Sequence, residues 1–422
     1  MRLLYITPSF QHPSMRGPTR CYHFIKHLSK GHRITLLSLT RSEVSPSAMK
    51  EMASYTERIL VFDSNRGSNS HASELVGKLP WIGGRLKRSL QLRDGVNQMK
   101  KVFSDLARQE CYDVVLFHGK SVFPVIDGWN GLPIVVDFCD ASSMRILTSM
   151  QHAGVAKLPL RILRYLQVRQ VERKLIKKTP NLAFVSSRDR EAILGAGNKA
   201  EVIPIGVDLH YWKRKSNHFQ PNSIVFTGVM NYGPNEDAAL YLIERILPLL
   251  RRRISDLEVL IVGRDPSSAL IKKARCYDRV TVTGFVDDLR PYLERAAVFA
   301  APLRYGAGIQ NKILEAMAME VPVVTTPLVA AGLRVDDGEP PPVVVAEEEG
   351  AFAESIVKLL GQEEERSRLA AAGRQFVENY FTWSHSAEKL EKMCLAAAGI
   401  NGLWPETDGQ RLSLNDRIQS AL

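Results

Sequence analysis

The stretch "GAGIQNKILEAMAMEVPVV", Gly306 to Val324, decides the fold. Gly306 and Gly308 precede a run that reads as a helix, and Pro322 opens "PVVTT", which reads as a buried strand. Lys312 and Glu315 sit three residues apart near the helix start, so both can face one ligand. A helix N-terminus carries unsatisfied N–H groups and a partial positive charge, and it binds anions. Glycines ahead of it let the backbone approach a phosphate closely. Lys312 adds a full positive charge. Glu315 cannot bind phosphate, but a carboxylate one turn further in is suited to accept two hydrogen bonds from a ribose diol. Phosphate and ribose together mean a nucleotide. Taken alone, the same residues also read as a glycine turn and a helix with an i, i+3 ion pair, because short glycine motifs are weak signals.

Working outward, "NSIVFTG" (222–228), "LEVLIVG" (257–263), "VTVTG" (280–284), "AAVFAAPL" (296–303), "VPVVTT" (321–326) and "PVVVA" (342–346) read as strands with helices between them. That alternation predicts a doubly wound parallel sheet. Asn235 with Asp237 reads as the cap region of the helix after the first of these strands. Residues 351–397 read as helical, and the chain from about 401 as a polar, loosely ordered tail.

Upstream, "IPIGVDLHYW" (203–212) reads as a linker. Before it the same pattern occurs once already. "RLLYIT" (2–7) is a strand, followed by a loop with Gly17 and Pro18 and a helix with Cys21, Phe24, Ile25 and Leu28 on one face. "HRITLLSLT" (32–40), "YDVVLFHG" (112–119), "LPIVVDFCD" (132–140) and "NLAFVSS" (181–187) are further buried strands. Ligands of open α/β sheets lie beyond the carboxyl ends of the strands. His118, Asp140 and Ser186 therefore stand where chemistry can happen. Residues 62–95 are the least regular and read as an insertion or lid. Residues 157–178 form a long basic amphipathic helix. Its leucines and isoleucines suit core packing, and its arginines and lysines suit solvent or an anionic surface; a covered helix is the preferred reading.

At 422 residues, with 45% apolar and 24% charged residues, the chain is expected to fold as two domains. No apolar run approaches the roughly 20 residues of a spanning helix. The N-terminus reads as a first strand and not as a signal peptide. Cys21, Cys111, Cys139, Cys276 and Cys394 are scattered, which favours a reducing cytoplasm over disulfides or structural zinc. The net charge of +11 divides into +14 over residues 1–212 and −3 over the remainder. The basic half suggests an anionic partner or a lysine- and arginine-rich solvated surface. Nucleic acid is not an expected partner, since no recognised motif accompanies the charge.

The second half resembles the donor-binding domain of glycosyltransferase family 4, retaining enzymes of the GT-B fold. The runs that carry the resemblance are "IPIGVD", "FTGVMNYGPNEDA", "LIVGRDP" and "VTGFVDDLRPYLERAAVFAAPLRYGAGIQNKILEAMAMEVPVVTT", within residues 203–380. The resemblance is particularly close to sugar transferases of bacterial exopolysaccharide loci, some associated with exosortase systems. The first half is similar more weakly, through its opening strand, glycine loop and helix, "YDVVLFHG" and "FVSSRDREAIL".

The resemblance implies two Rossmann-like doubly wound α/β domains facing a cleft. Residues 1–205 would form the acceptor-side domain and 206–380 the donor domain, with a helix over 381–400 crossing back and a polar tail over 401–422. It implies a nucleoside diphosphate sugar as donor substrate, a saccharide or lipid-linked acceptor, transfer with retention and no bound metal or other cofactor. The amides of Gly308, Ile309 and Gln310 would hold the diphosphate and Glu315 the ribose. Gly284, Phe285 and Val286 would flank the base. Gly228 and Asn231 belong to the same donor side, and Gly17 would approach the sugar-phosphate from the first domain. His118 and Lys312 are the implied catalytic pair, His118 near the transferred sugar and Lys312 on the diphosphate. Arg16, Arg20 and Asp140 are candidates for the acceptor side. Two departures from the family pattern stand out. Ala307 occupies a position where a carboxylate is common, and "TGVMNYGPNEDA" lacks the usual arginine and lysine, so Lys312 with Arg304 would have to supply the charge. The implied location is cytoplasmic, peripheral at the inner face of the membrane, with an anionic membrane surface as a partner. The alternatives are a catalytically idle nucleotide-sugar-binding scaffold and a nucleotide-sugar epimerase.

Overall fold

The computed structural model describes every residue except 16–18, 65–82, 151–157, 217, 307, 337 and 401–422. Arg16, Gly17, Ala307, the polar tail and the centre of the segment read as an insertion or lid therefore lie outside the described residues.

Two parallel sheets organise the chain. The first contains β1 (Arg2–Thr7), β2 (Arg33–Thr40), β3 (Arg58–Asp63), β4 (Val114–His118), β5 (Ile134–Asp137), β6 (Leu182–Phe184) and β7 (Glu201–Val202). Its strand order is β3-β2-β1-β4-β5-β6-β7. The second contains β8 (Gln220–Thr227), β9 (Glu258–Val262), β10 (Val280–Val282), β11 (Ala296–Ala301), β12 (Val323–Thr325) and β13 (Val344–Val345), in the order β10-β9-β8-β11-β12-β13. The central strands are buried along nearly their whole length because helices cover both faces, which is why they read as unbroken apolar runs. Both orders reverse direction between their first strand and the fourth strand of the unit: β1 beside β4, and β8 beside β11. A strand-order reversal opens a crevice at the carboxyl ends, the usual ligand position. His118 ends β4, Gly228 follows β8, and the 302–310 loop follows β11, so both switch points carry expected site residues.

The last helix, Trp383–Ala397, follows the second sheet in sequence but packs on the first. Thr382 caps it by accepting from the His385 amide. Trp383 stacks on His23 with ring centroids 4.2 Å apart, and Leu390 and Cys394 are buried in one core with Leu3, Tyr5 and Phe24. Burial of this face is what returns the chain to the first domain. All five cysteines are free thiols. No helix among the described residues is long and apolar enough to cross a membrane.

The structure corrects several expectations. The edge strand β3 and the helices Pro46–Ser54 and Gly83–Gln109 occupy regions where no element was expected. The cap region near Asn235 is displaced: Tyr232 is the N-cap residue of Gly233–Tyr241, and Asn235 is buried with its Nδ2 on the Val229 carbonyl at 3.0 Å. The Leu158–Lys178 helix forms, but Leu160, Ile162, Leu163 and Leu166 are exposed and not in the core.

Candidate active site

The second-domain wall is built from three chain segments that need glycine. A Cβ on Gly263 would lie 1.8 Å from the Gly228 carbonyl oxygen, so the ends of β8 and β9 can approach only through glycine. Gly306 and Gly308 take positive φ values of 150° and 70° in the loop ahead of the helix Asn311–Ala318. The N-cap residue Gln310 makes no side-chain cap bond, which leaves first-turn N–H groups open to a ligand.

These segments line a cavity of about 450 Å³ whose walls include Thr227, Gly228, Arg264, Phe285, Val286, Gln310, Lys312 and Glu315. Lys312 Nζ donates to Gln310 Oε1 at 3.0 Å. Burial lowers the Lys312 ammonium to about 8, against the attraction of Glu315. Burial raises the Glu315 carboxyl to about 7, against the attraction of Lys312. Desolvation exceeds mutual attraction for both, which sets the pair apart from a surface ion pair. Phe285 at the rim is 63% exposed, an aromatic face open to a planar group. Gly284, with φ 73°, turns the chain into that rim.

The first domain faces the glycine loop through Asp140. His118 Nδ1 lies 2.9 Å from Asp137 Oδ2, because β4 and β5 register His118 directly beside Asp137. Burial works against charge on His118, but Cys21 and Asp137 outweigh it and hold the imidazole well above its usual range. A protonated imidazole is a donor and not a base. Burial would raise Asp137, but Arg20 and His118 bring it well below the usual carboxylate range. Asp140 accepts from Lys120 Nζ at 3.3 Å and pairs with Arg145 at 3.4 Å. A Cβ on Gly308 would lie 3.8 Å from Asp140 Cβ, so Asp140 faces the glycine loop across the cleft.

The first domain also grips the glycine loop. Arg188 donates to the Gly306 carbonyl at 2.9 Å and to the Leu328 carbonyl at 3.0 Å. Gly308 N–H reaches Asp189 Oδ1 at 3.4 Å, and Asp336 pairs with Arg190 at 2.6 Å.

Lys312, Glu315, Gly228, Ile309, Gln310, Phe285 and Val286 therefore share one cavity, with Gly308 and Gly284 on its margins and His118 and Asp140 on the facing domain. Four expected residues are placed elsewhere. Arg20 is not on the acceptor side: it is buried, with Nε 2.8 Å from Asp137 Oδ2 and further bonds to the Ile203 and Pro204 carbonyls. Arg304 is not on the cavity wall: its Nε donates to Asp237 Oδ2 at 2.9 Å. Asn231 is off the wall, with Nδ2 3.4 Å from Asp265 Oδ2. Ser186 is a helix cap, accepting from Asp189 N at 3.1 Å. Arg264, from "LIVGRDP", lines the same cavity as Lys312, and its Nη1 pairs with Asp265 Oδ2 at 3.4 Å. Its place at a strand's carboxyl end was the signal. Asp137 had the same signal, since it ends the strand beside His118. Arg188 and Asp189 had none beyond a helix start. Among the described residues no group of three or more His, Cys, Asp or Glu is arranged to hold a metal ion.

Residues 221–362 match the family model for glycosyl transferases group 1. Apart from its first residue, Gln220, the second sheet lies within this match. The second domain, which supplies the cavity, is the glycosyl transferase group 1 domain. The chain is 28% identical over 280 residues to the GDP-mannose-dependent alpha-(1-6)-phosphatidylinositol monomannoside mannosyltransferase of Mycobacterium tuberculosis, covering 59% of this chain and 69% of the relative. It is 32% identical over 140 residues to the capsular polysaccharide biosynthesis glycosyltransferase CapM of Staphylococcus aureus, 33% of each chain. The fold of this chain is GT-B: sucrose-phosphate synthase from Thermosynechococcus elongatus superposes with a TM-score of 0.68 at 16% identity, over 95% of this chain and 100% of that one.

Proposed function

We propose that the protein transfers a sugar, with retention, from a nucleoside diphosphate sugar to a hydroxyl of a saccharide or lipid-linked acceptor, without a bound metal. The observation that carries this reading is the Lys312–Glu315 pair on one cavity wall, the ammonium lowered and the carboxyl raised by burial. A site holding a desolvated cation and a desolvated carboxylate is suited to a ligand that presents an anion and a diol together. The glycine loop and the open helix N–H groups would take the diphosphate. Glu315 would accept from the two ribose hydroxyls, and Phe285 would cover the base.

Charge grows on the diphosphate as the anomeric C–O bond breaks. Lys312 and Arg264 would stabilise it more in the transition state than in the ground state. The acceptor oxygen forms the new bond to the anomeric carbon, and its proton leaves on the departing phosphate oxygen. His118, kept protonated by Asp137, would donate a hydrogen bond to the transferred sugar. A polysaccharide or lipid-linked glycan as the product fits the names of the capsular and phosphatidylinositol-directed relatives.

Release of nucleoside diphosphate from a panel of nucleotide sugars, with saccharide and lipid acceptors, tests the reading. Turnover of at least one donor, with the product anomer retained, is expected. Binding without turnover of any donor would leave a binding protein and overturn it.

A further inference from the structure

The Leu158–Lys178 helix is only half a core element. Its later turns bury Glu172 and Leu175. Its first turns do not: Leu160 is 63% exposed, Leu163 53% and Leu166 57%, with Ile162 beside them. Residues three apart on a helix share a face, so Leu160, Leu163 and Leu166 form one stripe. Leu147 on the neighbouring Ser142–Met150 helix is exposed as well. A contiguous apolar patch of this kind marks an interaction surface.

Its charge selects the partner. The helix carries seven basic side chains and one acidic one, Glu172. Glu172 is buried and lies 3.4 Å from Lys120 and 3.6 Å from Arg169, so it leaves the outer face wholly basic. Arg161 and Arg164 border the leucine stripe and line a shallow groove with Leu160, Leu163 and Gln167. The patch also lies beside the cleft. The Ser142–Met150 helix begins next to Asp140, which faces Gly308, and packs along the Leu158–Lys178 helix. Arg161 ties the two helices by donating to the Ser149 carbonyl.

We propose that this face docks on an anionic lipid bilayer and holds the mouth of the cleft at the membrane surface. The leucines enter the headgroup–acyl boundary, and the arginines extend their stems along it with their guanidinium groups on lipid phosphates. As a route by which a lipid-linked acceptor reaches the donor site, this rests on the function proposed above; as a docking surface it stands on the patch alone.

Co-sedimentation of the full chain with phosphatidylcholine vesicles, and with vesicles carrying phosphatidylglycerol, tests it. Binding to the anionic vesicles, weakened as salt rises past about 0.1 M and absent on phosphatidylcholine alone, is expected. The double substitution L163E/L166E should reduce partitioning by about tenfold or more. It should leave the nucleoside diphosphate thermal shift intact, which shows that the variant folds. Lys312→Ala should lose the thermal shift and keep vesicle binding. Equal vesicle binding by wild type and L163E/L166E would overturn the proposal. So would absence of binding at low salt, and so would a vesicle-inert dimer that L163E/L166E dissociates. A wild-type protein that binds vesicles as expected but no nucleotide would overturn the proposed function and leave the docking surface standing.

Discussion

Lys312→Met separates a ligand-binding lysine from an ordinary ion-paired one, because the two predict opposite signs for stability. Burial lowers the ammonium from 10.5 to about 8, and Glu315 only partly offsets this. For a lysine whose folded pKa is depressed, the unfolded chain holds the proton more tightly. Folding is therefore penalised in full below about pH 8, and the penalty fades as pH rises to 10.5. That displacement is worth roughly 3 kcal/mol. The side chain lines an open cavity, so water screens part of it, and a stabilisation of about 1–2 kcal/mol at pH 7 is expected for Lys312→Met. In melting temperature this is a rise of roughly 2–8 °C for a domain of this size. Glu315, left alone, is protonated more fully; at pH 7, near its folded value, about half of it is protonated already, so the added cost is only about 0.4 kcal/mol. The same variant should bind a nucleotide sugar about 100-fold more weakly, having lost a charge-assisted contact to the diphosphate. Thermal unfolding of the empty protein at pH 7 and near pH 10, with titration of the donor, reads both. A variant less stable than wild type at pH 7, with unchanged donor affinity, would refute the reasoning, since an exposed ion pair is worth at most ~1 kcal/mol.

Glu315 must be ionised to accept from ribose and Lys312 protonated to face phosphate, so kcat/KM for a nucleotide sugar should be bell-shaped, with limbs near pH 7 and pH 8. Glu315→Gln should remove the acid limb, and a flat wild-type profile between about pH 6 and 9 would contradict the assignment. His118→Ala should lower turnover by about 100-fold and move the donor KM by less than about threefold, as expected of a contact made in the transition state; wild-type turnover in steady-state kinetics would return His118 to a structural role.

The parallel strands were legible because burial on both faces writes them as apolar runs, as in β4 and β11. The half-buried edge strand β3 lacks that signature, and the Gly83–Gln109 helix opens on a glycine pair. Within the site, Lys312 and Glu315 were legible because their relation is local, one turn of one helix. Asp137 carried a strand-end signal, but its tie to His118, 19 residues away in sequence, was not legible because it depends on the register of β4 and β5. Arg304 and Arg264 both find carboxylates, Asp237 and Asp265, and of the two Arg264 lines the cavity; which arginine reaches the wall is decided by loops that meet only in the fold. The Leu158–Lys178 helix shows the limit of composition. Its leucines were read as core because apolar residues at helical spacing usually are, but in its first turns no described element covers them.

The central claim is that the helix Asn311–Ala318 holds a ribonucleotide, with Glu315 on its ribose. Isothermal titration of the wild type and Glu315→Gln with a nucleoside diphosphate and its 2′,3′-dideoxy analogue tests it most directly, once a base that binds is known. Two hydrogen bonds to a carboxylate are worth roughly 1.5–3 kcal/mol each. The wild type should therefore bind the ribonucleotide at least about tenfold more tightly than the dideoxy analogue, and Glu315→Gln should largely erase that preference. Equal affinity of the wild type for the two ligands, or a preference that Glu315→Gln leaves untouched, would contradict it.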